Sequence, residues 1–340
     1  MNLNILKMML DKKTKRYVIG LKLDDSNTHC EIIGLKRSKD NLTLMLIHSV
    51  SEELLVKAFE FQSRRPTRRE MIKQHCIATW DGPLNHVGKI FIDDSEFEVK
   101  SRESRRFESS EWESVIELYE FMRAGWNAEA FESSATENMM LTQLQLIGEE
   151  SRKIKASPSS QLRFENRPYS ISHFVELPMI LKIGEDYPEK IWFTDAGTGE
   201  KHWTQIHKVY LMDIYETFND KFNDPRITEQ FDAEQIIKMK QETEASFSKI
   251  CPRGMFLPVI EYECEEEISL QFYHSDDLDQ ESVQNSSAVG FIMGTDKTAG
   301  KWGQSVKACV VQSAMPADTK EINVELFQYA RHEKGGKVVS

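Results

Sequence analysis

The sequence predicts an α+β protein of two domains with mainly antiparallel sheets and a few packed helices. Three observations predict this class. The chain has 340 residues, more than the roughly 250 to 300 that one hydrophobic core usually serves. Short β-branched or leucine-rich runs bounded by turn residues alternate with a few helical patterns. These patterns lack a regular strand–helix–strand rhythm, which favours antiparallel sheets.

The first hundred residues are rich in predicted strands. Three runs separated by turn-forming residues predict an antiparallel meander, and they cover residues 16–23, 28–36 and 41–48. A further hairpin is predicted from Val87–Ile92 and Glu96–Lys100 around an Asp-Asp-Ser turn. Helices are predicted from Ser51 to about Phe61 and over 68–74.

Two helical patterns follow before a candidate domain boundary. A capping box, Ser110-x-x-Glu113, predicts a helix over 111–124. Its predicted apolar stripe contains Trp112, Val115, Ile116, Tyr119 and Met122. A weaker pattern through Met140, Leu144 and Ile147 predicts a helix over 136–154. Residues 155–160 have linker composition, so the predicted domains are 1–154 and 161–340.

The second half is predicted to combine hairpins with one strong helix. A Gly-rich turn, 195–200, joins two strands on which Trp192 and Trp203 face each other. A second capping box, Asp232-x-x-Gln235, predicts a helix that runs to about Ile250. The strands predicted after it cover 255–264, 268–273, 288–293, 304–312 and 321–329.

Composition indicates a globular protein of the cytoplasm. The mean hydropathy is -0.50 and no run approaches the ~18 apolar residues of a membrane-spanning helix. Five scattered cysteines without a Cys-x-x-Cys pair predict reduced thiols. The basic cluster near the start follows an apolar stretch instead of preceding it, the reverse of a secretory signal. We therefore expect a cytoplasmic protein without membrane contact.

The largest departure from average composition is an acidic window between Arg253 and Lys297. Its 43 residues contain ten carboxylates and no lysine or arginine. Alternation over 258–265 predicts that Glu261 and Glu263 share one strand face, which is either a solvated face or a surface for a basic partner. The candidate partner-binding residues are Glu261, Glu263, Asp276, Asp277 and Asp279. A Ca²⁺ or Mg²⁺ site built from them is a further alternative.

A basic segment contrasts with this window. Residues 1–106 carry a net charge of +5, although the whole chain carries -12. Two short basic patches, 64–73 and 102–106, have cations at spacings that suit either phosphate contacts or pairing with nearby glutamates. The candidate phosphate-binding residues are Arg65, Arg68, Arg69 and Arg105. No signature of a nucleic-acid-binding fold accompanies them, so nucleic acid is not the favoured partner.

Asp81 followed by Glu98-Val99-Lys100 resembles the metal site of the PD-(D/E)xK nucleases. In that family two carboxylates hold Mg²⁺ and a lysine orients or activates the attacking water. The resemblance implies Asp81 and Glu98 as Mg²⁺ ligands and Lys100 beside the water. It covers about 40 residues. A surface Glu–Lys pair on one strand face is the other interpretation of Glu98 and Lys100.

The function predicted from these patterns is binding without chemistry. No other catalytic motif is present, whereas two segments carry opposite charge. We expect a protein that recognises a basic protein partner, in an immunity-like or scaffold role, without a cofactor. The alternative is a divergent Mg²⁺-dependent nuclease with its site in the N-terminal domain.

Overall fold

The computed structural model describes residues 14–25, 28–38, 41–49, 65–77, 84–107, 112–132, 138–222, 225–281 and 299–339. It corrects the predicted fold class. The protein is mostly β-sheet, with 49% strand and 23% helix, and is not an α+β protein with packed helices. The antiparallel character of the sheets is as predicted. The helical share was overestimated partly because one predicted helix is a strand.

The chain forms two compact units, and each combines separated segments. Unit 1 contains Met1–Arg64, Trp80–Tyr169 and Glu333–Ser340, and unit 2 contains Arg65–Thr79 and Ser170–His332. The domains predicted from the sequence, 1–154 and 161–340, stay a prediction.

The described helices are few and mostly short. They are α1 (Arg68–Ile77), α2 (Trp112–Arg123), α3 (Ile214–Phe222), α4 (Pro225–Gln230), α5 (Ala233–Ile250) and α6 (Ser275–Leu278). The second capping box is confirmed, because the Asp232 carboxylate accepts from the Gln235 amide and the Gln235 side chain accepts from the Asp232 amide. None of the helices in the described ranges is long and apolar enough to cross a membrane.

Unit 1 contains one eight-stranded antiparallel sheet. In sheet order, its strands are β1 (Lys15–Asp25), β2 (Thr28–Arg37), β3 (Leu42–Ser49), β6 (Met139–Ile147), β5 (Ser95–Arg106), β4 (Val87–Ile92), β7 (Leu162–Asn166) and β16 (Lys337–Val339). Strands β1 to β3 confirm the predicted meander, and β4 and β5 confirm the predicted hairpin.

The helix predicted over 136–154 is wrong, because β6 and a short 3-10 turn, Glu149–Arg152, occupy this segment. Both faces of β6 are covered: Leu141 packs into one core cluster, and Leu144 and Leu146 pack into the other. A strand buried on both faces carries apolar residues at mixed spacings, and these imitate a helical pattern. The helix predicted from Ser51 to Phe61 and the strand predicted over 288–293 lie outside the described residues.

Helix α2 has the predicted position, but it presents the opposite face to the protein. Val115, Tyr119 and Met122 of the predicted core stripe are 54%, 55% and 44% exposed. The buried residues of the helix are Ser114, Glu117 and Phe121. Glu117 forms ion pairs with Arg16 of β1, at 3.2 Å, and with Lys36 of β2. The face towards the sheet therefore combines the paired carboxylate of Glu117 with Phe121, which packs into a core cluster of unit 1.

Unit 2 contains two antiparallel sheets that share a core. The first has the order β13 (Val306–Val310), β11 (Met255–Cys264), β10 (Lys201–Met212) and β9 (Ile191–Thr194), and β14 (Met315–Pro316) also pairs with β11. The second has the order β12 (Ile268–His274), β15 (Glu321–Glu333) and β8 (Tyr169–Lys182). Their common core includes Val209, Ile260, Phe272 and Tyr329. Helix α5 covers the other side of β11 through Phe247.

Candidate functional site

The acidic window does not form one solvated strand face. Ile260, Tyr262 and Cys264 of β11 belong to the core shared by the two sheets, and Val259 packs with the cluster around α5. Glu261 is half-buried, whereas Glu263 has no solvent exposure. The strand lies between β10 and β13, so cover on both sides overrides the expected alternation of a half-exposed strand.

The buried carboxylate of Glu263 binds the loop 299–304. It accepts hydrogen bonds from the backbone amide of Trp302 at 2.9 Å and from that of Gln304 at 2.8 Å. The ring Nε2 of His207 lies 3.2 Å from its second oxygen. Gly300 packs directly on the carboxylate, because a Cβ atom there would lie 2.2 Å from Oε2. Glu263 therefore fixes the loop and is not open to a partner.

The fixed loop brings Trp302 to a second tryptophan, with a lysine between them. The Lys190 ammonium lies 3.7 Å from the ring centroid of Trp203 and 4.1 Å from that of Trp302. We call these three residues the Trp–Lys–Trp clamp. The Trp302 indole N–H donates to Gln205, whose side-chain amide donates to the Tyr187 carbonyl at 2.7 Å. These bonds tie the loop to the segment that carries Lys190.

The clamp is open to solvent on one side. Trp302 is 46% exposed, and Trp192, the register partner of Trp203, is 61% exposed. The pairing of Trp192 with Trp203 is as predicted. Sequence patterns did not predict the clamp, because Trp302 lies about a hundred residues after Trp203 and no local pattern links it to Lys190.

A buried polar network holds the β9–β10 hairpin that carries Trp192 and Trp203. The Asp195 carboxylate accepts from the Gly197 amide at 2.7 Å and from the Tyr329 hydroxyl at 2.8 Å, and it lies 3.0 Å from Nδ1 of His173. Burial alone would raise the pKa of Asp195, but hydrogen bonds from the Thr198 amide and the Tyr329 hydroxyl lower it overall. The predicted Gly-rich turn is thereby joined to β8 and β15.

Part of the basic segment binds to acidic residues within unit 2. The Arg69 guanidinium forms two parallel 2.8 Å bonds to Glu325, a residue 5% exposed, and a third 2.8 Å bond to Asp279. Arg68 lies over the Tyr273 ring at 5.0 Å, and Lys73 pairs with Glu176. Helix α1 is therefore part of the fold of unit 2. Its side chains Arg68, Arg69 and Lys73 contact acidic or aromatic residues of that unit.

The predicted phosphate-binding residues belong to two units, with Arg65, Arg68 and Arg69 in unit 2 and Arg105 in unit 1. Arg68 and Arg69 face aromatic and acidic groups in unit 2. Arg65 is exposed. Arg105 belongs to unit 1 and pairs with Glu103 and Glu113.

The described members of the other predicted acidic set and of the nuclease set lie on α6 and β5. Asp276 and Asp277 belong to α6, where the Asp276 side chain is 82% exposed. Glu98 and Lys100 are exposed on β5. Asp81 lies outside the described residues, so the Mg²⁺-dependent nuclease stays a prediction. Within the described ranges, no group of three or more His, Cys, Asp or Glu side chains is placed to hold a metal ion.

Comparison with known proteins does not assign a class to this fold or to the clamp. No family model, no curated protein and no solved structure matches the chain. Function is therefore argued from the geometry.

Replacing Glu263 by Gln is expected to destabilise unit 2 by about 1–3 kcal/mol, because an amide cannot accept all the bonds made by the carboxylate and leaves buried donors unpaired. Urea unfolding followed by tryptophan fluorescence measures the change. Glu261→Gln is the matched control two residues away and is expected to cost less than about 0.5 kcal/mol. Equal effects of the two substitutions would contradict the loop-anchoring role of Glu263.

Replacing Arg69 by Ala is expected to lower the free energy of unfolding by about 3 kcal/mol, because the nearly buried Glu325 carboxylate loses its bidentate partner. Thermal and urea denaturation report the loss. Arg65→Ala, in the same basic segment but on an exposed side chain, is expected to stay within about 0.5 kcal/mol of the parent. A parent-like Arg69→Ala protein would show that α1 does not depend on this pair.

Proposed function

We propose that the chain is a binding protein that recognises a basic protein partner, and that the Trp–Lys–Trp clamp receives a cationic side chain of that partner. The observation that carries this proposal is the position of the Lys190 ammonium between two indole rings, at 3.7 and 4.1 Å from their centroids. Such a pair of rings selects a cation irrespective of which chain supplies it.

Physical magnitudes support exchange of the cation. A cation–π contact contributes about 0.5–1 kcal/mol at an exposed site and ~2 kcal/mol when the cation is desolvated. Lys190 is half-buried and Trp302 is half-exposed, so the internal contact is of moderate strength. A partner lysine or arginine that brings further contacts is therefore able to displace Lys190.

Charges of both signs lie near the clamp, because the Lys301 ammonium is 5.4 Å from the Trp302 ring centroid. Glu263 lies buried under the loop of Trp302, and its carboxylate adds negative potential next to the rings. The exposed carboxylates of the acidic window, among them Asp276, Asp279 and Glu267, suit the steering of a basic partner. In this proposal Asp276, Asp277, Asp279 and Glu261 act at long range, and Glu263 acts by holding Trp302.

A cytoplasmic partner belongs to the same proposal. None of the five cysteines, all of which lie in the described ranges, forms a disulfide bond. Four of them are buried, and burial raises the pKa of Cys309 to about 11 and that of Cys264 to about 12. Cysteines outside disulfides, with thiols that ionise poorly, suit a reducing compartment.

The clamp is tested by removing the Lys190 ammonium. Lys190→Ala leaves both indoles in place, so we expect it to bind hexalysine about 3- to 30-fold more tightly than the parent, which corresponds to a cation–π contact of about 0.7–2 kcal/mol. Binding is measured by isothermal titration calorimetry and by tryptophan fluorescence, and it is expected to weaken as salt increases.

Two second substitutions separate the clamp from general acidity. Trp302→Ala in the Lys190→Ala background is expected to abolish the gain. Trp192→Ala in the same background removes an exposed tryptophan that is not one of the two clamp rings, and it is expected to retain the gain. Urea unfolding verifies that each variant is folded. Failure of Lys190→Ala to bind more tightly, or an equal loss in both double variants, would contradict the proposal.

A further inference from the structure

One face of the unit 1 sheet changes from apolar to polar along β3. Leu42, Leu44 and Leu46 point to this face and are fully buried. His48 follows at the same two-residue spacing, so its ring points to the same side.

His48 is a buried residue whose ring lacks a full set of partners. It is 3% exposed, and its Nδ1 atom has no hydrogen-bond partner in the part of the chain that the structure describes. Burial, and then the nearby positive charge of Arg102, lower the pKa of His48 to about 4. The ring is therefore neutral at neutral pH, and it is able to donate one hydrogen bond from Nδ1.

Arg102 reaches the same region from β5. It lies opposite Leu144 of β6, which places its side chain on the leucine-lined face. Its guanidinium is half-buried and donates to the amide oxygen of Asn85. Within the described ranges, no carboxylate lies within ion-pair distance of Arg102, and burial lowers its pKa. A half-buried guanidinium without an anionic partner is costly, which makes this position unusual.

Two hydroxyl groups lie between these side chains in the register. Thr142 is fully buried on β6. It lies halfway between Leu144 and Met140, and Met140 is the register partner of His48. Its hydroxyl lies 2.8 Å from that of Ser104, the opposite residue on β5. The polar end therefore offers a guanidinium fork, a neutral ring N–H and two hydroxyl groups, with leucines beside them.

We propose that Arg102 and His48, with Thr142 and Ser104, form a binding site for an oxyanion, the carboxylate or phosphate group of a small ligand. The planar fork of Arg102 matches two oxygens of either group. The Nδ1–H of His48 donates to the same group, which satisfies a ring atom that has no partner among the described residues. The ligand anion compensates the charge of Arg102 and displaces or shares its bond to Asn85.

The experiment measures anion binding to the whole chain. Inorganic phosphate, acetate and decanoate are titrated separately by calorimetry and by the change in melting temperature. Phosphate binding would assign the site to phosphoryl groups, and decanoate binding well above that of acetate would assign it to a carboxylate with an apolar tail. Arg102→Gln is expected to raise at least tenfold the dissociation constant of the probe that binds. Arg105→Gln, an arginine of the same strand paired with Glu103 and Glu113, is expected to retain binding.

A second measurement keeps the test decisive if Arg102→Gln does not fold. In the parent protein, the ring nitrogen signals of His48 in ¹⁵N-detected NMR are expected to shift on addition of the bound probe, with no comparable shift at the exposed His29. Absence of binding by all three probes, equal loss in Arg102→Gln and Arg105→Gln, or binding that leaves the His48 signals unchanged would overturn the proposal.

Discussion

The carboxylate of Glu263 is the interaction on which the candidate binding surface depends. A buried carboxylate requires several donors, and here the loop 299–304 and His207 provide them. Its oxygens accept from two backbone amides of this loop, and these bonds fix the position of the loop against β11. Trp302 is thereby placed next to Trp203, and Lys190 completes the clamp. The buried carboxylate of Glu263 thus determines the position of the Trp–Lys–Trp clamp.

Local chemistry made part of this fold predictable. Turn residues between β-branched runs located the first three strands and the β4–β5 and β9–β10 hairpins. These turn signals are local, because the residues that produce them lie within a few positions of each other. The capping box at Asp232 and Gln235 likewise located the start of α5. The pairing of Trp192 with Trp203 followed from the same local reasoning, because a hairpin turn fixes its register.

The errors have a common physical origin, which is contact with residues far along the chain. The strand β6 was taken for a helix because cover on both faces removes the alternation that identifies strands. Helix α2 was located correctly, but its buried face is the one that carries Phe121 and the Glu117 carboxylate, which pairs with β1 and β2. Glu263 was expected at the surface because its hydrogen-bond donors lie some forty residues away. Sequence patterns record the polarity of a residue, whereas tertiary partners decide where that polarity is satisfied.

The division of the chain between the two units has a consequence for biosynthesis. Strand β7 pairs with β16, which is translated long after it, so the edge of β7 stays open while unit 2 is made. An open edge strand exposes unpaired N–H and C=O groups and favours aggregation. Helix α1 is translated early but pairs through Arg69 with Glu325, which is translated late, so the helix lacks this partner until then. A ribosome-bound chain therefore carries two incomplete units until its last strands emerge, and it would benefit from chaperone protection during that interval.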